Sequence, residues 1–332
     1  MSMTPGDLPD LAQIRDAAAR IAPYAVVTPV LRNDALDALC GARLHFKCEN
    51  LQRGGAFKFR GACNAVWALD EAQAARGVVT HSSGNHGNAL ALAAATRGIA
   101  AHVVVPEGAV LAKVAAIERA GAVLHRCAPT QAAREAMCVQ VQRETDAVLV
   151  HPYADTQVMA GQGTVALELL QQVPGLDTLV TPVGGGGLAS GAAIAAHGLD
   201  PALRLFGAEP AGAADAAQSL AQGARVAGLV PDTVCDGLRA LVGERNFDAL
   251  RDHHVTVVTV SDAEAVAAMR LLWENLKLVV EVSSATVLAA VMKSPQAFAG
   301  RCVGLVLTGG NVDLDALPWR GLSPAPSPPP LH

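Results

Sequence analysis

Four consecutive glycines stand between a strand-like run and a helix-like run in Thr181-Pro182-Val183-Gly184-Gly185-Gly186-Gly187-Leu188. Upstream, Leu179, Val180 and Val183 read as a short buried strand; downstream, Leu188, Ala192, Ile194 and Ala195 continue as an apolar helix. A turn without Cβ atoms at such a junction leaves its backbone N–H groups uncovered and aims them, with the helix N-terminus, at one point. The natural occupant of that point is a phosphate. A flexible linker is the competing reading, but linkers mix glycine with serine and other polar residues and do not sit flush between apolar elements.

Strand-to-helix junctions recur along the whole chain. Leu11, Ile14, Ala18 and Ile21 have the spacing of an opening helix, and Leu44, Phe46 and Cys48 alternate with polar residues as a strand. Val78-Val79-Thr80 leads into Ser82-Ser83-Gly84-Asn85-His86-Gly87 and an alanine-rich helix. Strands at 102–105, 123–124 and 148–150 alternate with helices at 110–119 and 131–142. Ser261 and Glu264 form a capping box opening a further helix, and Val303 to Leu307 is a last buried strand ending in Thr308-Gly309-Gly310-Asn311. This alternation predicts an α/β fold of parallel sheets flanked by helices, with ligands at the carboxyl ends of the strands.

At 332 residues the chain makes one large α/β domain or two intertwined ones. It is 51% hydrophobic but only 3% aromatic, so the interior is built from Ala, Val and Leu. No apolar run reaches the roughly 20 residues of a membrane span. Asp7 and Asp10 without a basic segment do not read as a signal peptide. A net charge of −5 and no Lys/Arg cluster argue against nucleic acid as a partner. The seven scattered cysteines read as reduced thiols of a cytoplasmic protein. The proline-rich tail, 317–332, is expected to be disordered and outside the fold.

Lys58 lies between Phe57 and Phe59, behind Gly54-Gly55. An apolar setting lowers the proton affinity of an amine and makes it a usable nucleophile, although many lysines merely lay their stems over apolar surface. Together with a phosphate cradle, Lys58 points to a cofactor carrying both an aldehyde and a phosphate, of which pyridoxal phosphate is the common one.

Several segments resemble, in order, the serine/threonine dehydratase and serine racemase family of fold type II pyridoxal-phosphate enzymes. They are NLQRGGAFKFRGA (50–62), HSSGNHGNALALAA (81–94), AGQGTVALELL (160–170), PVGGGGLASG (182–191), GAEPAGAAD (207–215), DGLR (236–239) and TGGN (308–311). The resemblance implies a tryptophan synthase β-like fold of two parallel-sheet domains with the cofactor in the cleft between them. Residues 1–66 and 154–316 would form the large domain, residues 67–153 the small one, and two chains a homodimer. Lys58 would hold the cofactor as a Schiff base, with Phe57 beside the ring and Gly184, Gly185, Gly186, Gly187 and the Leu188 N–H around the phosphate. Asn85 would meet the ring hydroxyl, Gly237 the ring, and Thr308 the pyridine nitrogen. Ser82, Ser83, Asn85 and His86 would receive the substrate carboxylate at a helix N-terminus. A plain helix cap is the competing reading for Ser82, Ser83 and Asn85, and a buried, satisfied histidine for His86. Ser83 would lie on the ring face opposite Lys58, where a second acid/base permits racemisation. Glu209, Asp215 and the Ala213 carbonyl match the family's divalent-cation loop, which suits Mg²⁺ or Ca²⁺; two surface acids are the alternative.

The reaction so implied is α,β-elimination from a 3-hydroxy amino acid, with Lys58 removing the Cα proton and a 2-oxo acid and ammonia released. A hydroxyl at Thr308 cannot keep the pyridine nitrogen fully protonated, which favours elimination and proton exchange over transamination. Several positions depart from the family pattern. Ala56 replaces a serine, Tyr153 and Ala240 replace smaller or hydroxylated residues of the substrate pocket, and Val282 replaces a proline. A pocket losing hydroxyls and gaining a ring leads one to expect threonine or a bulkier substrate such as 3-phenylserine. Arg134 aligns near the pocket mouth, or is a helix-surface arginine. Because the sequence stops soon after TGGN, the regulatory domain of biosynthetic threonine deaminases is not expected. Serine racemase activity, β-replacement and a non-catalytic phosphate-ligand binding protein are the alternatives.

Overall fold

The computed structural model describes residues 8–319 apart from position 110. Most of the expected tail therefore lies outside the described residues. Ten strands, β1 (Val30–Leu31), β2 (Arg43–Cys48), β3 (Val78–Thr80), β4 (Ala101–Pro106), β5 (Val123–Cys127), β6 (Val148–Leu149), β7 (Thr178–Pro182), β8 (Arg204–Pro210), β9 (Thr256–Val260) and β10 (Cys302–Leu307), form two sheets. The larger has the order β1-β2-β10-β7-β8-β9 and the smaller β5-β4-β3-β6. All pairings are parallel except that of β1 with β2, where Val30 faces Lys47 in antiparallel register. The architecture is thus two helix-covered parallel sheets, as the alternation predicts, with one short antiparallel edge.

Local signals read in the sequence recur as hydrogen bonds. Ser261 and Glu264 satisfy each other's backbone N–H groups in a capping box at the start of Asp262–Leu276. The opening helix Leu11–Ile21 carries a second box, between Asp10 and Gln13. The glycine junction follows β7 and opens directly into the helix Gly187–Leu199. That helix is buried on every side through Ala196, which explains its alanine-rich composition.

The helix Lys58–Ala68, which presents Lys58, is fixed by a buried charge network. Arg60 is fully buried and donates to Glu49 at 2.8 Å and to Glu168 at 2.7 Å. Lys47, equally buried, donates to Glu168 and to the Thr28 carbonyl. Each charge has a partner, without which burial in so dry a setting would cost several kcal/mol.

At the other end of the chain the expectation needs correcting. Trp319 was placed in the tail outside the fold, but it packs edge-on against Trp273 at 5.2 Å and lies beneath Arg270. A large aromatic surface gains more from burial than proline-rich chain gains from disorder.

Candidate active site

The carboxyl ends of the two sheets converge on Lys58. Its amine donates to the Pro152 carbonyl at 3.0 Å and stands 5.1 Å from the Phe57 ring centroid. Burial without a close anion pushes its pKa down to about 8, opposed only by the field of Glu281. The preceding segment is pinned to the TGGN turn, because Phe57 N–H donates to the Thr308 carbonyl and Ala56 bridges to Gly309.

Pro152 and Tyr153 carry the chain from Lys58 to the glycine loop. A Cβ on Gly185 would meet the Tyr153 ring at 2.4 Å, and one on Gly187 would meet the Tyr153 backbone at 3.0 Å. Gly186 has φ +90°, and a Cβ there would fall 2.7 Å from that of Asn246. Behind Gly184 runs the Gly237–Leu238 backbone, 3.0 Å from where a Cβ would be. Side chains are thus excluded along the loop by contact as well as by conformation. Among the described residues, the N–H groups of Gly184, Gly185 and Gly186 donate to no carbonyl, although all three residues are buried. Buried donors without partners, at the start of a thirteen-residue helix, fit a phosphate.

A second such turn faces from the small sheet. Gly84 is the N-cap of Asn85–Arg97, and no side chain caps that helix. The plain-cap reading of Ser82, Ser83 and Asn85 therefore fails, and the first-turn N–H groups stay available to an anion. Asn85 instead donates to Glu281 at 3.1 Å and accepts from Asn311 at 2.9 Å. His86 is fully enclosed; its Nε2 faces the Val150 carbonyl at 3.2 Å and its Nδ1 has no partner. Burial and neighbouring Lys58 drive its pKa well down, so the ring is neutral, with the proton on Nε2 and a lone pair on Nδ1. A lone pair does not bind a carboxylate, so of this residue only the backbone N–H suits that role.

Thr308 Oγ1 lies 3.0 Å from Ser284 Oγ, which also donates to the Gly309 carbonyl at 2.8 Å. Gly237 N–H donates to Ser283 Oγ at 3.0 Å. Glu281, buried among these groups and repelled by Asp236, has its carboxyl pushed up to about 7. Glu281, Ser283 and Ser284 flank the position where Val282 replaces a proline, and no pattern in the sequence marks them as site residues.

The expected apolar substrate pocket is not what surrounds Tyr153. His151 meets the Tyr153 ring edge-on at 4.6 Å, and His81 stacks edge-on to His151 at 5.3 Å. His151 Nδ1 accepts from Ala154 N–H at 3.1 Å, which leaves its Nε2–H as a free donor. Burial takes the His151 pKa down to about 4. Burial lowers the His81 pKa, with the Glu135 carboxylate opposing and Arg134 adding to the shift, and the Arg134 Nε is buried without a partner. Ala240 is half-buried beyond the Asp236–Leu238 turn.

Glu209 and Asp215 are both buried, which removes the reading of two surface acids. Glu209 accepts from Ala216 and Ala217 N–H at 2.9 Å each, Asp215 from Val242 N–H at 2.7 Å. Burial pushes the Glu209 carboxyl up to about 8, with Asp215 adding repulsion. Among the described residues, no three His, Cys, Asp or Glu side chains gather as a metal set, and no helix is long and apolar enough to cross a membrane.

A lysine amine, an uncovered phosphate-type loop and an uncapped helix N-terminus at the meeting of two parallel sheets define a fold type II pyridoxal-phosphate enzyme. Comparison with known proteins agrees. Residues 21–309 match the family model described as pyridoxal-phosphate dependent enzyme, and the chain belongs to that family. It is similar to a beta-hydroxyaspartate dehydratase of Paracoccus denitrificans, 48% identical over 94% of this chain and 99% of that protein. A serine racemase of Arabidopsis thaliana is also 48% identical, over 93% of this chain and 95% of its own length. Among solved structures, maize serine racemase superposes with a TM-score of 0.92 at 45% identity, over 95% of this chain and 97% of that one.

Proposed function

We propose that this protein is a pyridoxal-phosphate-dependent ammonia-lyase that converts a small 3-hydroxy amino acid to a 2-oxo acid and ammonia by α,β-elimination. The observation carrying this reading is the Lys58 amine, seated on the Pro152 carbonyl, in the same cleft as the uncovered N–H groups of the glycine loop. When bound, pyridoxal phosphate supplies the aldehyde that takes up an amine and the electron sink that acidifies the adjacent C–H. In this reading Gly184 to Leu188 hold its phosphate and Lys58 its aldehyde carbon. Phe57, Asn85 and Gly237 border the ring, and Thr308, held by Ser284, offers a hydroxyl to the ring nitrogen. The Lys58 amine, seated on the Pro152 carbonyl, would be the group that takes the Cα proton. The Ser82–His86 turn receives the substrate carboxylate on its free N–H groups.

For the substrate side chain, the donors of the His81–His151–Tyr153 cluster and the unpartnered Arg134 Nε, set against the field of the Glu135 carboxylate, support an acidic group over an aryl group. The substrate is then 3-hydroxyaspartate, consistent with the Paracoccus relative's name, in preference to threonine or 3-phenylserine. Ser83 keeps racemisation as the second reading, favoured by the relatives named serine racemase. A divalent cation near Glu209, Asp215 and the Ala213 carbonyl belongs to the same reading, because two buried, mutually repelling carboxylates are stabilised by a hard cation.

The test is 2-oxo acid release from serine, threonine and the diastereomers of 3-hydroxyaspartate and 3-phenylserine. Fastest turnover of a 3-hydroxyaspartate isomer is expected. Fastest turnover of 3-phenylserine would refute the acidic-substrate reading. Formation of D-serine from L-serine without 2-oxo acid would replace the lyase by the racemase.

A further inference from the structure

A run of four glycines is costly to order, because each loses more backbone freedom than any other residue. Yet this loop is buried, and Gly186 takes a left-handed φ of +90°. Whatever orders it must touch it from behind, and the contacts converge on one side chain. Asn246 is fully buried in the helix Glu244–Asp252. Its Cβ would lie 2.7 Å from a Cβ on Gly186, so it fills the space beneath the loop's one left-handed residue. Its amide donates to the Tyr153 carbonyl at 3.1 Å and to Ser190 Oγ at 3.3 Å. Ser190 Oγ returns a bond to the Asn246 carbonyl, and Ser190 N–H donates to the Gly186 carbonyl. One residue before this helix, Gly243 N–H donates to the Gly185 carbonyl at 3.1 Å.

We infer that Asn246 is the positioning residue of the phosphate cradle. It ties the loop, the first turn of the helix Gly187–Leu199 and the Tyr153 backbone into one unit. Because Tyr153 follows Pro152, whose carbonyl seats the Lys58 amine, the same side chain sets the distance between the anion site and the lysine. Its Oδ1 accepts nothing and Met159 Sδ shares its amide, so the residue is held by packing and by donation alone. Hydrophobic replacement therefore preserves the fill but loses the tie. This inference rests on the proposed reading that the glycine loop holds a phosphate.

The test measures affinity of the cofactor-free protein for inorganic phosphate, pyridoxal phosphate and pyridoxal, in wild type, Asn246→Ala, Asn246→Leu and Ser190→Ala. Phosphate and pyridoxal phosphate are expected to bind about tenfold more weakly to both Asn246 variants, and about threefold more weakly to Ser190→Ala, with pyridoxal unchanged. The Ser190 variant keeps the test open if the Asn246 variants do not fold. Unchanged phosphate affinity in variants that fold, or an equal loss for pyridoxal, overturns the role of Asn246. Failure of the wild-type protein to bind phosphate or pyridoxal phosphate overturns the functional reading instead.

Discussion

Lys58 is the group whose perturbation reports most directly on the cleft. Its amine has a pKa of about 8 in the folded chain against 10.5 for the ordinary side chain, chiefly through burial. A lowered base destabilises the fold while it is charged, so the penalty is full below pH 8 and fades as pH rises towards 10.5. At about 1.4 kcal/mol per unit, the cofactor-free protein at pH 7 carries up to about 3 kcal/mol of this penalty, falling below about 1 kcal/mol at pH 10. Lys58→Met removes it at every pH. Urea unfolding of cofactor-free wild type and variant should therefore show the variant more stable at neutral pH. Raising the pH from 7 to 10 should narrow the gap by about 2 kcal/mol. Any gain from methionine packing is independent of pH and cancels in that difference. A gap that stays constant, or widens with pH, would show that the amine is solvated and not held in a dry cleft.

Other outcomes follow from the same geometry. Arg60→Met leaves Glu49 buried beside an apolar side chain and should cost about 3–5 kcal/mol in urea unfolding. Gly186→Ala, at φ +90° and against Asn246, should cost about 1–3 kcal/mol and weaken retention of pyridoxal phosphate in equilibrium dialysis. Arg134→Ala should raise KM for 3-hydroxyaspartate at least about tenfold and that for serine much less, read from steady-state kinetics.

Much of the framework was legible before the structure, for reasons that are local. Alternating strand and helix patterns announce parallel sheets, and a glycine run between two apolar elements announces a tight turn with uncovered N–H groups, because both signals lie within a few consecutive residues. Side chains recruited from far along the chain were not legible. Glu281 reaches Asn85, Ser284 reaches Thr308, and Asn246 reaches Tyr153, each across a separation that no periodicity encodes. The surroundings of Tyr153 were not legible for the same reason. Substitutions at Tyr153 and Ala240 suggested an apolar pocket, while His81, His151 and Arg134 converge from three separate segments. The tautomer of His86 was not legible, since it depends on the Val150 carbonyl opposite. Trp319 was hidden by its proline-rich neighbours.

Borohydride reduction of the cofactor-loaded protein, followed by proteolysis and mass mapping, tests the central claim most directly. The reduced pyridoxyl phosphate should be found on the peptide carrying Lys58 and be lost from that position in Lys58→Ala. Attachment to Lys47, Lys113 or any other lysine, or no attachment at all, would contradict the account.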